Sequence, residues 1–291
     1  LGPVRIAHHG TTRRRFVPGW IMLGLAVLFG GIVGFALGLT GGGGGVFAVP
    51  LLVYGLAVAP REAVGISLAA VGGTALFGVA PRLVRGEVEL RTGILFAVAG
   101  MIGAPIGTYL STLVPENLLL VMFGGLMLVV AWRMWMKTRQ SLTAMATDEL
   151  DAQRSACQRD EDGKLRLTSR CAMLLAVIGL ATGILSGMFG VGGGFVIVPA
   201  LVLFSGMQIH QAVGTSLLVI FLVSISGVSS YLVSGKELSW QVTLLFLVGG
   251  FAGMWGGGLV AKRLNGPTLQ KVFAAAVVLV ALFVITKSVA F

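Results

Sequence analysis

The chain has 291 residues, a formal net charge of +10 and a strongly apolar composition, with 56% hydrophobic residues, 11% charged residues and a mean hydropathy of +0.96. Because a soluble domain carries about 25% charged residues, this composition excludes an ordinary soluble protein. The basic residues lie in loops and at the ends of apolar segments. The positive charge therefore indicates orientation in a membrane and not nucleic-acid binding.

Continuous apolar stretches reach the length of about 20 residues that a helix needs to cross a bilayer, whereas a membrane β-barrel would show short alternating segments. We therefore predict an all-α integral membrane protein. Two shorter apolar segments, 44–58 and 193–206, are predicted to be half-helices that enter from one side. The predicted spans, in chain order, are 19–39, 62–82, 92–113, 117–136, 171–189, 211–233, 240–261 and 268–288.

A glycine-rich motif occurs twice. GGGGGVFAVP at residues 41–50 returns 149 positions later as GVGGGFVIVP at 190–199, and AVGISL at 63–68 returns at the same spacing as AVGTSL at 212–217. The repetition predicts two homologous repeats, each of about four transmembrane helices plus one glycine-broken half-helix. Broken apolar segments at matching places in two halves indicate the substrate site of a transporter. The predicted organisation is an N-terminal cytoplasmic tail (1–18), repeat 1 (19–136), a polar linker (137–169) and repeat 2 (170–291).

Each glycine within a helix costs about 1 kcal/mol relative to alanine, so consecutive glycines predict an unwound stretch that leads into a short helix. The free backbone N–H groups at such a helix start, with the helix dipole behind them, bind anions. Close helix packing is the alternative role of glycine. It fits the spaced glycines Gly30, Gly34, Gly38, Gly103, Gly107, Gly253 and Gly257.

Two serines occupy the same place in the two AVGxSL motifs, and their hydroxyls can hydrogen-bond either an oxyanion or a neighbouring helix. The sequence leaves both alternatives open. Thr40, Thr182, Ser186 and Thr215 are weaker candidates of the same kind. The predicted substrate-binding residues are Gly41, Gly42, Gly43, Gly44 and Gly45 (the first glycine run), Gly190, Val191, Gly192, Gly193 and Gly194 (the second glycine run), and the serines Ser67 and Ser216.

Two topologies fit these segments. With four crossings per half the halves are parallel, and the basic clusters at 13–15, 82–91 and 133–139 all face the cytoplasm, as the positive-inside rule requires. With five crossings per half the repeats are inverted. The charge pattern favours the first topology, with a cytoplasmic N-terminus.

Few residues offer other chemistry. Cys157 and Cys171 have no metal-ligand neighbours and are interpreted as incidental thiols rather than as a disulfide or redox pair. Motifs of nucleotide-binding loops, zinc proteases and serine hydrolases are missing from the sequence. Charged residues are nearly absent inside the spans, so a buried acidic proton relay is hard to build. We expect no enzyme, no metal site and no cofactor.

The duplicated motif resembles the sulfite exporter TauE/SafE family of bacterial membrane permeases. The second copy is the closer one: GILSGMFGVGGG at 183–194, then Pro199, then AVGTS at 212–216. The first copy departs by having Gly42 in place of Val191 and Leu37 in place of Ser186. The resemblance spans both halves. It implies a multi-pass secondary transporter of the inner membrane for sulfur-containing anions: sulfite, thiosulfate, sulfoacetate or other organosulfonates.

The sequence therefore predicts a small anionic substrate held by the two helix starts at mid-membrane, with alternating access between the two repeats. The expected partners are this anion and the lipid bilayer, and no nucleic acid. An anion channel is one alternative. A non-transporting membrane assembly or sensor subunit, whose charged linker docks a partner, is another. The particular anion, the direction of transport, the coupling ion and homo-oligomer formation stay open.

Overall fold

The computed structural model describes residues 19–143, 169–205, 207–236, 238–261 and 266–289. Within these residues the chain is helical, and six helices are long and apolar enough to span a membrane. The predicted tail and most of the predicted linker lie outside the described residues. The helices are α1 (Gly19–Thr40), α2 (Gly43–Gly55), α3 (Pro60–Val84), α4 (Leu90–Leu113), α5 (Glu116–Thr143), α6 (Ser169–Phe189), α7 (Gly194–Ser205), α8 (Ile209–Val233), α9 (Trp240–Ala261) and α10 (Gly266–Val289).

The helices follow the predicted spans. Each full-length helix begins and ends within two residues of its prediction, except that α5 continues from the predicted end at 136 to Thr143. Both predicted short segments are helical, as α2 and α7. The first is irregular, because it begins as a 3₁₀ helix and changes to a π-helix after Pro50. Proline has no N–H to donate, so it weakens α-helical hydrogen bonding at that point.

Turn residues explain where the second full-length helix of each half begins or ends. α3 starts with Pro60 in its first turn, where a missing N–H costs nothing. It is capped just beyond its end by Gly86, whose φ is 69°, and the following Glu87 amide donates to the Arg82 carbonyl at 3.0 Å. This is a Schellman cap. α8 is likewise followed by a glycine in the left-handed region, Gly235, whose φ is 70°.

Spaced glycines let helices from different halves approach closely, as predicted. A Cβ built on Gly34 of α1 would lie 1.9 Å from the Gly250 carbonyl oxygen of α9, and one on Gly107 of α4 would lie 2.0 Å from the Ile184 carbonyl oxygen of α6. No real side chain fits at those distances, so both contacts require glycine. The same holds for Gly30, Gly38, Gly103, Gly253 and Gly257.

The glycine contacts also give the helix directions. Along α1 and α9, Gly30 lies against Phe246 and Gly38 against Met254, so the residue numbers rise together and the helices are parallel. The same comparison shows that α4 is parallel to α6, and that α3 is parallel to α9. The first helix of each half therefore packs on the third full-length helix of the other half.

The prediction of parallel halves is wrong. It requires α3 and α8, which carry the two AVGxSL motifs, to run in the same direction. Instead Gly65 lies against Tyr231 and Gly78 against Leu217, so the residue numbers fall along one helix as they rise along the other. α3 and α8 are antiparallel.

The segment between α1 and α3 explains the difference. Both helices run in the direction of α9, so the chain must return between them. α2 makes this return, since Gly44 lies against Leu37 near the end of α1 whereas Gly55 lies against Phe29 near its middle. The second half needs the same return through α7, because Gly93 and Gly100 of α4 lie against Leu218 and Val223 of α8, so that α6 and α8 both run in the direction of α4. These returns fit five crossings per half, which was the less favoured of the two predicted topologies.

The bundle has two ends, which we name after arginines of α3. The Arg61 end contains the start of α3 and the loops that follow α4 and α8. The Arg82 end contains the loop between α3 and α4, the start of α6 and the end of α9. α1, which follows residues 13–15 in the sequence, begins at the Arg61 end, whereas residues 82–91 lie at the Arg82 end, because α1 and α3 are parallel. The charge argument for a cytoplasmic N-terminus placed them together, and is therefore wrong in that respect.

The interpretation of the cysteines is also corrected. Cys171, at the start of α6, is fully buried and disulfide-bonded. The sequence contains one other cysteine, Cys157, which lies outside the described residues.

Candidate functional site

The two glycine runs contact each other inside the bundle. A Cβ built on Gly194 would lie 2.5 Å from the Gly42 Cα, and one on Gly45 would lie 2.2 Å from the Val191 carbonyl oxygen. Every residue of both runs is buried. Backbone atoms cannot yield to a side chain at such distances, so the crossing of the runs requires glycine.

Each run starts at a glycine in the left-handed region, with φ of 74° at Gly41 and 72° at Gly190. Residues with a Cβ rarely adopt this conformation. Each of these glycines also packs against the other half. A Cβ on Gly41 would meet the Val213 side chain at 2.2 Å, and one on Gly190 would meet the Val64 Cα at 2.7 Å. Sequence reasoning missed the two valines, because their role appears only when the halves are packed together.

Each of the two predicted serines hydrogen-bonds the first glycine of the run in the other half. The Ser67 hydroxyl donates to the Gly190 carbonyl oxygen at 2.5 Å, and the Ser216 hydroxyl donates to the Gly41 carbonyl oxygen at 2.6 Å. Both serines are fully buried. A hydroxyl has one proton to donate, so in this structure neither serine is free to donate to an anion. The geometry matches the interhelical alternative.

We expect Ser67→Ala and Ser216→Ala each to lower the free energy of unfolding by about 1–3 kcal/mol, because each leaves a buried carbonyl without this donor. Thermal unfolding of the purified protein in detergent measures the change. Ser234→Ala is the matched control, since the Ser234 hydroxyl bonds at an exposed site. Equal stability of all three variants and the wild type would contradict a structural role.

Backbone donors are available at the second glycine run. Gly192 and Gly193 have φ of 69° and 70°. Among the described residues, the amides of Gly192, Gly193, Gly194 and Phe195, which lead into α7, donate no hydrogen bond. An α-helix start with free N–H groups and the positive end of the helix dipole is suited to an anion.

The first glycine run differs in this respect. The Gly43 amide donates to the Thr40 hydroxyl oxygen at 2.9 Å, and that hydroxyl donates in turn to the Ala36 carbonyl oxygen at 2.7 Å. The segment then continues as a 3₁₀ helix rather than an α-helix. The two runs are therefore similar in sequence but unequal in the donors they leave free.

Charged side chains gather outside the runs, at the Arg61 end. The Arg61 guanidinium donates to the Thr112 carbonyl oxygen at 3.1 Å and lies 3.9 Å from the Glu116 carboxylate. The Lys236 ammonium lies 5.0 Å from the centre of the Tyr231 ring. Burial, and then the charge of Arg61, lowers the pKa of Lys236. Among the described residues, no three His, Cys, Asp or Glu side chains are grouped as a metal site requires.

Comparison with known proteins agrees with this picture. The family model described as sulfite exporter TauE/SafE matches residues 26–284. A probable membrane transporter protein of Xylella fastidiosa (strain Temecula1) is 36% identical over 262 residues, which cover 89% of this chain and 93% of that protein. The probable membrane transporter protein YunE of Bacillus subtilis is 27% identical over 268 residues, covering 90% and 95% of the two chains.

No solved structure gives a significant match. The family model nevertheless covers both glycine runs and nearly all of the described helices. Membrane-spanning helices, duplicated glycine runs and transporter relatives all point to the same class of protein. The chain therefore belongs to the sulfite exporter TauE/SafE family of membrane transporters.

Proposed function

We propose that the protein is a secondary transporter of small sulfur-containing anions, such as sulfite, thiosulfate, sulfoacetate or another organosulfonate, in a bacterial inner membrane. The observation that carries this proposal is the contact between the two glycine runs inside the bundle, with an α-helix start beside it. Backbone N–H donors hold an anion without a cationic side chain. The family description names sulfite as the exported anion of its members.

We further propose that the two halves are inverted repeats that alternate access to the glycine runs. The antiparallel α3 and α8, and the matched contacts of Gly41 and Gly190, support a two-fold relation between the halves. The halves are interleaved, since α1 packs on α9 and α4 on α6. The moving bodies are therefore mixed groups, one of α1, α3 and α9 and one of α4, α6 and α8, rather than the two halves of the sequence.

Reconstituted protein tests this function directly. We expect proteoliposomes to take up radiolabelled thiosulfate, sulfite or sulfoacetate saturably, and to take it up faster when the same unlabelled anion is loaded inside. Counterflow of this kind requires a carrier, so uptake without acceleration would favour the anion channel. Acetate and chloride serve as control anions. Lack of transport of every sulfur anion would contradict the proposal and favour the assembly or sensor subunit.

Gly193 is the informative glycine for this assay. A Cβ on Gly193 would meet its nearest atom at 3.3 Å, whereas one on Gly44 would lie 2.3 Å from the Leu37 backbone nitrogen. Substitution of Gly44 therefore disturbs the packing of α2 on α1, whereas substitution of Gly193 strains the left-handed backbone of the second run itself, where φ is 70°. Folded Gly193→Ala that transports at the wild-type rate would argue against a substrate role of the second run.

A further inference from the structure

Ser186 is a buried hydroxyl without a partner. It lies in the last turn of α6, its side chain is 1% exposed, and no hydrogen-bond partner is present for its Oγ. Leaving a buried polar group unsatisfied is unfavourable, and such groups are few in folded proteins. The other buried hydroxyl on this helix is satisfied, since Thr182 donates to the Ile178 and Gly179 carbonyl oxygens.

The unpartnered hydroxyl lies beside the second glycine run. A Cβ built on Gly193 would come within 3.6 Å of the Ser186 Cβ and 3.3 Å of the Thr182 carbonyl oxygen, so the side of Gly193 that lacks a side chain faces Ser186. The amides of residues 192–195, which have no acceptor among the described residues, belong to the same stretch. One unpartnered hydroxyl therefore lies beside the stretch that carries these N–H donors at the start of α7, and none of them carries a charge.

The first glycine run has no such group. The position equivalent to Ser186 is Leu37, a fully buried apolar residue. Gly44, the equivalent of Gly193, packs directly on the α1 backbone. The Gly43 amide is already occupied by the Thr40 hydroxyl oxygen.

We propose that the transported anion binds at one place only, the start of α7, where the Ser186 hydroxyl and the free amides of the second glycine run donate to its oxygens. The first run has a structural role only: it packs against the second run and does not bind the anion. This inference rests on the proposed function, and it adds a specific binding residue and an asymmetry to it. The ligand class is an oxyanion or sulfonate whose oxygens accept hydrogen bonds from neutral donors.

The test measures anion affinity and stability in the same purified proteins. Thiosulfate, sulfite and sulfoacetate are titrated against wild type, Ser186→Ala and two controls, with thermal unfolding as the readout. We expect Ser186→Ala to raise the Kd by about ten- to a hundredfold, as loss of a hydrogen bond to a charged ligand does. Without ligand we expect it to unfold at the same temperature as wild type or higher, because an unsatisfied hydroxyl has been removed.

The controls separate this role from general packing. Ser111→Ala removes a buried hydroxyl that is satisfied by the Thr108 carbonyl oxygen, and Thr40→Val removes the acceptor of the Gly43 amide in the first run. Both variants should be less stable than wild type, with an unchanged Kd. A Ser186→Ala protein with wild-type Kd would overturn the inference while leaving the proposed function standing. An equal rise in Kd for Thr40→Val would overturn the asymmetry. Lack of binding by the wild type would overturn the proposed function and this inference together.

Discussion

Gly42→Ala and Gly194→Ala are each expected to destabilise the protein by about 1–3 kcal/mol or more and to abolish transport, because overpacked backbones must move apart. A Cβ on Gly42 would lie 2.8 Å from the Gly194 backbone, and one on Gly194 would lie 2.5 Å from the Gly42 Cα. The double variant should cost less than the sum of the two single changes, since the first substitution already separates the runs. Thermal unfolding of the four proteins gives the coupling.

Gly125→Ala is the matched control for this cycle. No atom lies within 4 Å of a Cβ built on Gly125 in α5, and its backbone is helical. Alanine is the better helix former, so this variant should be at least as stable as wild type and should transport normally. Strict additivity of the Gly42 and Gly194 changes would show that the two glycines do not meet, and would remove the basis of the proposed site.

Cysteine labelling is expected to show that the Arg82 end faces the cytoplasm. Helix directions assign to this end the loop with Arg82, Arg85 and Arg91, and the sequence adds the basic residues of the linker and of 262–271. The Arg61 end has Arg61 and Lys236, and α1 begins there. Lysine and arginine in short loops favour the cytoplasmic side, so the N-terminus is expected outside. The Cys171 disulfide favours the opposite orientation, since disulfides are rare in the cytosol. We give more weight to the distribution of the basic residues, because it depends on many charges and not on a single bond.

The experiment uses two single-cysteine proteins in a Cys157→Ser, Cys171→Ser background. Ser234→Cys is exposed at the Arg61 end, and Leu90→Cys is exposed at the Arg82 end. A membrane-impermeant maleimide added to intact cells should label Ser234→Cys fully and Leu90→Cys only after the cells are permeabilised. The reverse pattern would restore the cytoplasmic N-terminus, and equal labelling of both would exclude a single orientation.

Hydropathy and glycine spacing predict much of this fold. The length of each apolar stretch determines where helices such as α9 begin and end, because the bilayer demands a minimum number of apolar residues. Spaced glycines such as Gly34 and Gly107 predict close helix contacts, because nothing larger fits between two backbones. Both kinds of information are local, and both predictions are confirmed.

The directions of the helices, by contrast, cannot be predicted from short stretches of sequence. It depends on whether α2, a short glycine- and proline-containing segment, turns back or returns the chain across the bundle. Its apolar length is compatible with either path. The charge argument failed because the basic clusters at 13–15, 82–91 and 133–139 all face the same side of the membrane only in the parallel topology.

The candidate site shows the same limit. The sequence marks Ser67 and Ser216 as hydroxyl donors, but their acceptors are backbone carbonyls of the other half, which no sequence motif reveals. The sequence marked Ser186 only as one of several weaker hydroxyl candidates and as a departure between the two copies, with Leu37 in its place. Burial without a partner is what distinguishes it, and burial is a property of the packed chain.

The exchange of helices between the halves has a consequence for how the protein is made. The glycine face of α1 finds its partner, α9, only near the end of synthesis. Until α9 has been inserted, the glycine face of α1 is exposed to lipid or to the insertion machinery. Neither half, expressed alone, contains the partner that its own first helix needs. Co-expression of residues 19–143 and 169–289 as separate chains should therefore rescue a fold that neither fragment reaches by itself.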